Sequence, residues 1–190
     1  DHRGEEIQAL DGEQADRCVE RFFEQGLSVF AAVGKFSPRN PAHEERMIRS
    51  LSDRAAFLTA GHWLSGQLNF PRRIATSYYN SAVWPIFNGF ANSVESSLRQ
   101  FSISPQLNIL KADGGTMPLA QARRTPVESI FSGPAASVMG LMALCDIEED
   151  ALMLDVGGTT TDVGVFAGGH PLVEAESVEL VHRPTLVRAM

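Results

Sequence analysis

The chain alternates between apolar runs of strand length and apolar positions at helical spacing. From Gly12 to Gln25, Ala15, Val19, Phe22 and Phe23 fall on one helical face, acidic residues stand early, and Gly26 supplies a stop. Leu27 to Val33 is almost unbroken apolar sequence, which predicts a buried strand. Phe36 to Pro41 reads as a loop in which Asn40 caps a helix that has Pro41 at its first position. Met47, Ile48 and Leu51 give that helix its apolar face, and Phe57 to Ala60 is a short strand. Helix, strand, helix, strand predicts one half of an α/β layer.

Gly61 to Arg73 has no period and carries His62, Trp63, Gln67, Arg72 and Arg73. Ile74 to Gln100 is the longest helical stretch, with Ala82, Ile86, Phe90, Val94 and Leu98 at four-residue spacing and Pro85 and Gly89 as the expected site of a kink. Its aromatics Tyr78, Tyr79, Trp84, Phe87 and Phe90 predict core packing rather than a ligand box, because several share the helical face. Gln106 to Leu110 reads as a strand, Asp113-Gly114-Gly115 as a turn and Pro118 to Ala122 as a short helix. Ile130 to Ala136 leads into a helix ending near Leu144, with Pro134 near its first turn. That helix start offers free N–H groups to an anion, and an unliganded start is an equal alternative. After the acidic link Asp146 to Asp150 comes the most informative stretch; beyond it, Gly168-Gly169 turns the chain and Leu172 to Val178 predicts a third strand.

In Leu152 to Phe166 an apolar run reaches Asp155, passes through Gly157-Gly158 and Thr159-Thr160-Thr161, and resumes after Asp162 as an alternating apolar run. Apolar runs on both sides of a glycine-rich turn predict a hairpin, with Asp155 ending one strand and Asp162 starting the next. Adjacent glycines let backbone N–H groups approach a ligand with no Cβ between, and a concave run of such groups holds phosphate. The threonines add donors, and the two carboxylates suit a divalent cation held directly or through water. Glycines alone would describe an ordinary turn; acids at both ends favour a nucleotide site. A P-loop is excluded because no Gly-Lys-Ser/Thr ending is present. A Rossmann loop is excluded because Val163, Val165 and Phe166 continue as strand where that loop opens a helix.

At 190 residues, 44% hydrophobic and 21% charged, the chain has room for one large or two small cores. A net charge of −7 without a basic stripe argues against nucleic acid as partner. No apolar run of spanning length and no signal-like start point to a membrane. Cys18 and Cys145 lie in helical patterns; they are expected to be reduced, partly buried thiols of a cytoplasmic protein. The start at Asp1 without methionine, and the end soon after the hairpin, read as a fragment of a larger protein.

The hairpin resembles the phosphate hairpin of the superfamily that holds sugar and acetate kinases, heat-shock ATPases and actin. Four stretches together resemble the ATP-using A subunit of the hydantoinase/oxoprolinase family, N-methylhydantoinase A-like. They are Phe36 to Glu44 (a Ser-x-x-Asn-Pro-x-His-Glu segment); Arg73, Thr76, Asn80 and Pro85; the pair Asp113-Gly114-Gly115 and Ser132-Gly133-Pro134-Ala135; and Asp155 to Asp162. Departures are Gly61-His62 where the family has Ser-His, and Ala136-Ser137 where Gly-Gly is common.

The resemblance implies an α/β, actin-like ATPase (ribonuclease H-like) fold, partial here, with a mixed sheet flanked by helices. It implies residues 1–70 as the end of an N-terminal hydantoinase/oxoprolinase domain and 71–190 as the start of the ATPase domain. It implies ATP-dependent opening of a cyclic amide, a hydantoin or 5-oxoproline, through phosphorylation of the carbonyl oxygen. ATP and Mg2+ are then the cofactors. Gly157, Gly158, Thr159, Thr160 and Gly133 would contact phosphate, and Asp155 and Asp162 would hold the metal or orient the attacking group. His62, Arg73 and Asp113 are weaker substrate candidates, each with a structural alternative. His43 and Glu44 are expected as a solvated first helical turn rather than a metal pair. Expected partners are the cyclic amide and a B-type hydrolase subunit or domain, with a homo-oligomer allowed. Rival readings are an actin-like regulatory or assembly module and a small-molecule kinase.

Overall fold

Asp11 opens the first helix, α1 (Gly12–Glu24), by accepting the Gln14 N–H at 3.0 Å, as an N-cap aspartate does. Gly26, at φ +76°, ends it as the sequence predicts. This computed structural model describes residues 1–174 and 177–190. Two units are present: Asp1–Ile86 with Val181–Leu186, and Phe87–Leu180 with Val187–Met190.

In the first unit β1 (Val29–Ala32) pairs in parallel with β2 (Phe57–Ala60), Val29 opposite Phe57 and Ala32 opposite Ala60. The crossover between them is α2 (Ala42–Leu51). The N-cap is Pro41 rather than the expected Asn40; Asn40, one residue earlier, accepts the Ala42 N–H on Oδ1 at 3.1 Å. Val19, Phe30 and Leu51 form the core, with Phe23, Met47, Ala55 and Leu58 packed on it. The expected buried strand is buried only at Phe30; Ala31 and Leu27 are exposed. Phe30 and Leu58 face the α1–α2 core, and by the period of two Phe57 and Thr59 face the other way, where Trp84 and Asn80 meet them; Ala31, on that second face, is left uncovered.

One turn of helix, α3 (Gly61–Leu64), and the start of α4 (Phe70–Gln100) take up the two ends of the stretch expected to be irregular at 61–73, and 65–69 between them is irregular as expected. The apolar stripe of α4 does not form its buried face: Ala82, Ile86 and Phe90 are exposed. Tyr78 and Phe90 are also exposed, so the aromatics do not pack as one core group, although Trp84 stacks on Phe57 at 4.9 Å. Within the first unit α4 instead buries Arg73, Thr76, Ser77 and Asn80, a polar face at helical spacing. Asn80 Nδ2 donates to Thr59 Oγ1 at 3.0 Å, and the Leu186 N–H donates to Thr76 Oγ1 at 2.9 Å. These hydrogen bonds make the burial of Asn80 and Thr76 tolerable, whereas Ser77 Oγ and Arg73 Nε are buried without a hydrogen-bond partner among the described residues.

In the second unit β3 (Asn108–Leu110) and β4 (Thr116–Pro118) form an antiparallel hairpin around Gly114, which has φ +79°. Then come α5 (Leu119–Ala122), a 3₁₀ turn (Pro126–Ser129) and α6 (Ser132–Leu144). Next, β5 (Ala151–Val156), β6 (Thr161–Ala167) and β7 (His170–Pro171) make an antiparallel sheet in that order. The strand expected over Leu172 to Val178 includes Ala175 and Glu176, which lie outside the described residues; the third strand seen is the two-residue β7. Val138, Met153 and Phe166 form this unit's core. Parallel and antiparallel pairing thus both occur, in separate small sheets.

Cys18 and Cys145 are both free, and both are exposed rather than partly buried. Among the described residues no helix is long and apolar enough to cross a membrane.

Candidate functional site

β5 and β6 pair from Ala151↔Phe166 to Val156↔Thr161, and Asp155 stands directly opposite Asp162. Directly opposed residues project to the same face, with Cβ atoms about 4.5–5.5 Å apart. The period of two puts Met153, Asp155, Asp162, Gly164 and Phe166 on that face, toward α6. A Cβ at Gly164 would lie 3.0 Å from Val138 Cγ2 and 3.1 Å from Met153 Cε, so this glycine permits the helix to sit close. Next to Val138 on α6, Ser137 Oγ donates to Asp155 Oδ2 at 2.6 Å. The Asp162 side chain has no hydrogen-bond partner among the described residues.

At the tip, the Gly157 N–H donates to Thr160 O at 2.9 Å and closes the turn. Gly157, Gly158, Thr159 and Thr160 are all exposed. Neither glycine has a left-handed φ, and a Cβ at Gly158 would meet nothing within 4 Å. The chain's own geometry therefore does not require glycine at 158. Gly133, in the first turn of α6, is likewise exposed and open around its Cα. Among the described residues no three His, Cys, Asp or Glu side chains gather as a metal cluster. The Asp155–Asp162 pair is all oxygen, which suits a hard cation that keeps its waters and shares a phosphate.

The weaker candidates separate. Asp113 Oδ1 accepts the Gly115 N–H at 3.0 Å, and Oδ2 accepts from Lys111 Nζ, also at 3.0 Å. Burial raises the Asp113 carboxyl pKa, but Lys111 and the Gly115 N–H outweigh it and hold the carboxyl below its usual range. Both oxygens are therefore occupied within the turn. Arg73 is fully buried. Its Nη1 donates to Gly34 O at 2.9 Å and Ser37 Oγ at 2.7 Å, and its Nη2 to Gly34 O at 2.9 Å and Lys35 O at 2.7 Å. It fastens the 34–37 loop.

Glu44 is the residue that sequence reading placed wrongly. Its side chain is 1% exposed, not solvated. Oε1 accepts the Gly34 N–H at 2.6 Å; Oε2 accepts the His62 N–H at 3.0 Å and lies 2.6 Å from His62 Nδ1. Burial pushes its carboxyl pKa up, but the nearby Ser37 hydroxyl, the Gly34 and His62 amides and the His62 ring outweigh burial, and the net shift is downward. Gly61 makes room for this arrangement, since a Cβ there would lie 2.8 Å from Val33 Cγ1 and 3.1 Å from Glu44 Oε1. The signal was present in the sequence: Glu44, Met47 and Leu51 are spaced i, i+3, i+7, on one face. By contrast His43 does lie at the surface, 2.7 Å from Glu6. Ser137 was missed as well, and nothing in the spacing marks it.

A family profile described as hydantoinase/oxoprolinase matches residues 73–190, more than half of the chain. The chain belongs to the hydantoinase/oxoprolinase family. Among curated relatives, the caprolactamase subunit alpha of Pseudomonas jessenii is 26% identical over 188 residues, covering 95% of this chain and 26% of its own length. The 5-oxoprolinase 1 of Arabidopsis thaliana is 25% identical over 178 residues, covering 88% of this chain and 13% of its own length. The chain thus spans about a quarter or less of these relatives. A nucleotide-free acetone carboxylase structure, from work on ATP-dependent acetone carboxylation, superimposes over 100% of this chain and 27% of its own, with a TM-score of 0.86 at 17% identity. The ATP-dependent caprolactamase of P. jessenii covers 86% of this chain and 24% of its own, with a TM-score of 0.71 at 23% identity. At these identities the likeness speaks for the fold. It agrees with the α/β, actin-like ATPase architecture expected of this hydantoinase/oxoprolinase chain.

Proposed function

We propose that this chain is part of an ATP-dependent hydrolase that opens a small cyclic amide by phosphorylating its carbonyl oxygen. The observation that carries this reading is the hairpin. Two carboxylates face each other across the strands, and between them an exposed turn carries a glycine that the fold does not need. A bare backbone at such a tip is useful to a ligand that must come close. In this reading Gly157, Gly158, Thr159 and Thr160 contact phosphate, with Gly133 at the start of α6. Asp155 and Asp162 hold Mg2+, which would neutralise the phosphate charge when bound. Ser137 fixes the Asp155 carboxylate. His62 is kept as the substrate candidate; Arg73, whose two terminal nitrogens hold the 34–37 loop, and Asp113, whose oxygens are engaged within its turn, are given supporting roles. The family match beginning at residue 73 supports a domain boundary near Phe70. The name caprolactamase subunit alpha supports a second, B-type hydrolase subunit as partner, and the two free thiols support a cytoplasmic setting.

Product analysis on the full-length protein with its partner subunit tests this. Ring-opened amide with inorganic phosphate supports the reading. A stable phosphorylated product would mean a small-molecule kinase, and nucleotide binding without consumption a regulatory or assembly module; either outcome overturns it.

A further inference from the structure

We propose that Glu44 and His62 form a proton-accepting site for the N–H of a small cyclic amide, with Trp63 as the apolar wall beside it. This rests on the cyclic-amide reading above and names the groups that receive the ring. Glu44 is an anion with its Oε2 2.6 Å from His62 Nδ1. A carboxylate has no proton to offer, so Nδ1 carries the hydrogen, and in the neutral imidazole Nε2 is then the atom with the lone pair. The His62 amide on Oε2 and the Gly34 amide on Oε1 keep the carboxylate from turning. Arg73 Nη1, 3.6 Å from Oε1, is the other charge on the pair. The dyad has a closed end and an open end: the Glu44 side chain is 1% exposed and that of His62 18%. Nε2 has no partner among the described residues. Trp63 is 54% exposed, with its ring 5.9 Å from the imidazole and tilted 64° to it. An open indole face next to an imidazole lone pair fits a flat ring with one polar edge.

The proton transfer balances as follows. The amide nitrogen lone pair becomes a C=N bond, the carbonyl π pair becomes the new O–P bond, and the P–O bond to ADP breaks with its electrons. The N–H pair stays on nitrogen while its proton moves to His62 Nε2. Glu44 stabilises the imidazolium through Nδ1–H, as a carboxylate behind a histidine does.

The test uses the full chain with 15N-labelled histidine, titrated with 2-pyrrolidinone and separately with N-methyl-2-pyrrolidinone, which lacks the N–H. The His62 signal is identified by its loss in His62→Gln. The N–H compound is expected to shift the His62 Nε2 resonance, and the N-methyl compound to leave it in place. Equal shifts from both, or none from either, overturn the site whatever an ATP assay shows. In the complete enzyme, His62→Gln lowers amide-dependent ATP turnover by about 10²-fold or more, the range of a lost general base, with ATP affinity unchanged. Glu44→Gln takes the carboxylate from behind Nδ1 and is expected to weaken the shift of the His62 Nε2 resonance by 2-pyrrolidinone. A purely structural Glu44 would lower activity and leave that shift in place. Amide binding at His62 without ATP consumption defeats the hydrolase reading and leaves the site standing. Full turnover in His62→Gln defeats the proton role alone.

Discussion

At the scale of single residues, space and charge separate fold from function. A Cβ at Gly158 meets nothing. Gly158→Ala is therefore expected to leave the thermal midpoint nearly unchanged while lowering nucleotide affinity, read by calorimetry; equal affinity would remove Gly158 from the phosphate contacts. Gly61→Ala behaves in the opposite way. Its new methyl is pressed against Val33 Cγ1, and the cost is about 1–3 kcal/mol, measured as a lower urea midpoint. Glu44 adds a pH signature. Its carboxyl pKa is lower in the folded protein than the ordinary 4.5, so its stabilisation is present above that value and fades as pH falls through the folded pKa. The destabilisation caused by Glu44→Gln should be largest near neutrality and shrink below pH 4.5; a penalty constant with pH would show that the charge contributes nothing.

At the scale of elements, the hairpin of β5 and β6 works as one piece with α6. Asp155 and Asp162 are like charges placed directly opposite, a destabilising arrangement in a sheet. Asp162→Asn should raise the stability of the unliganded protein by roughly 0.2–1 kcal/mol and remove Mg2+-dependent ATP binding. Loss of both stability and binding would mean that Asp162 supports the fold instead. This hairpin was legible in the sequence because strand alternation and a glycine turn are local signals. So were α1, α2 and β2, whose apolar periods lie where the elements are observed. The face of α4 was not legible. Its apolar stripe predicted the core, yet the buried side carries Arg73, Thr76, Ser77 and Asn80. Periodicity registers hydrophobicity and is blind to hydrogen bonds that make polar burial tolerable. Ser137 was hidden for a related reason, since its contact with Asp155 is made across 18 positions of sequence.

At the scale of the molecule, each unit has its own core: Val19, Phe30 and Leu51 in one, Val138, Met153 and Phe166 in the other. A ligand that binds only the folded hairpin stabilises it by mass action, by about 2.7 kcal/mol at a hundredfold excess over Kd. ATP with Mg2+ should therefore raise the melting temperature more than ATP with EDTA, and no difference between them would argue against the carboxylate pair as a metal site. The placement of the thiols makes a finer measurement practical. Cys18 belongs to one unit and Cys145 to the other, and both are open to reagents. Nature has supplied one attachment point for a dye on each side, so a fluorescence ruler can follow the separation of the halves as nucleotide comes and goes, with no cysteine engineered in.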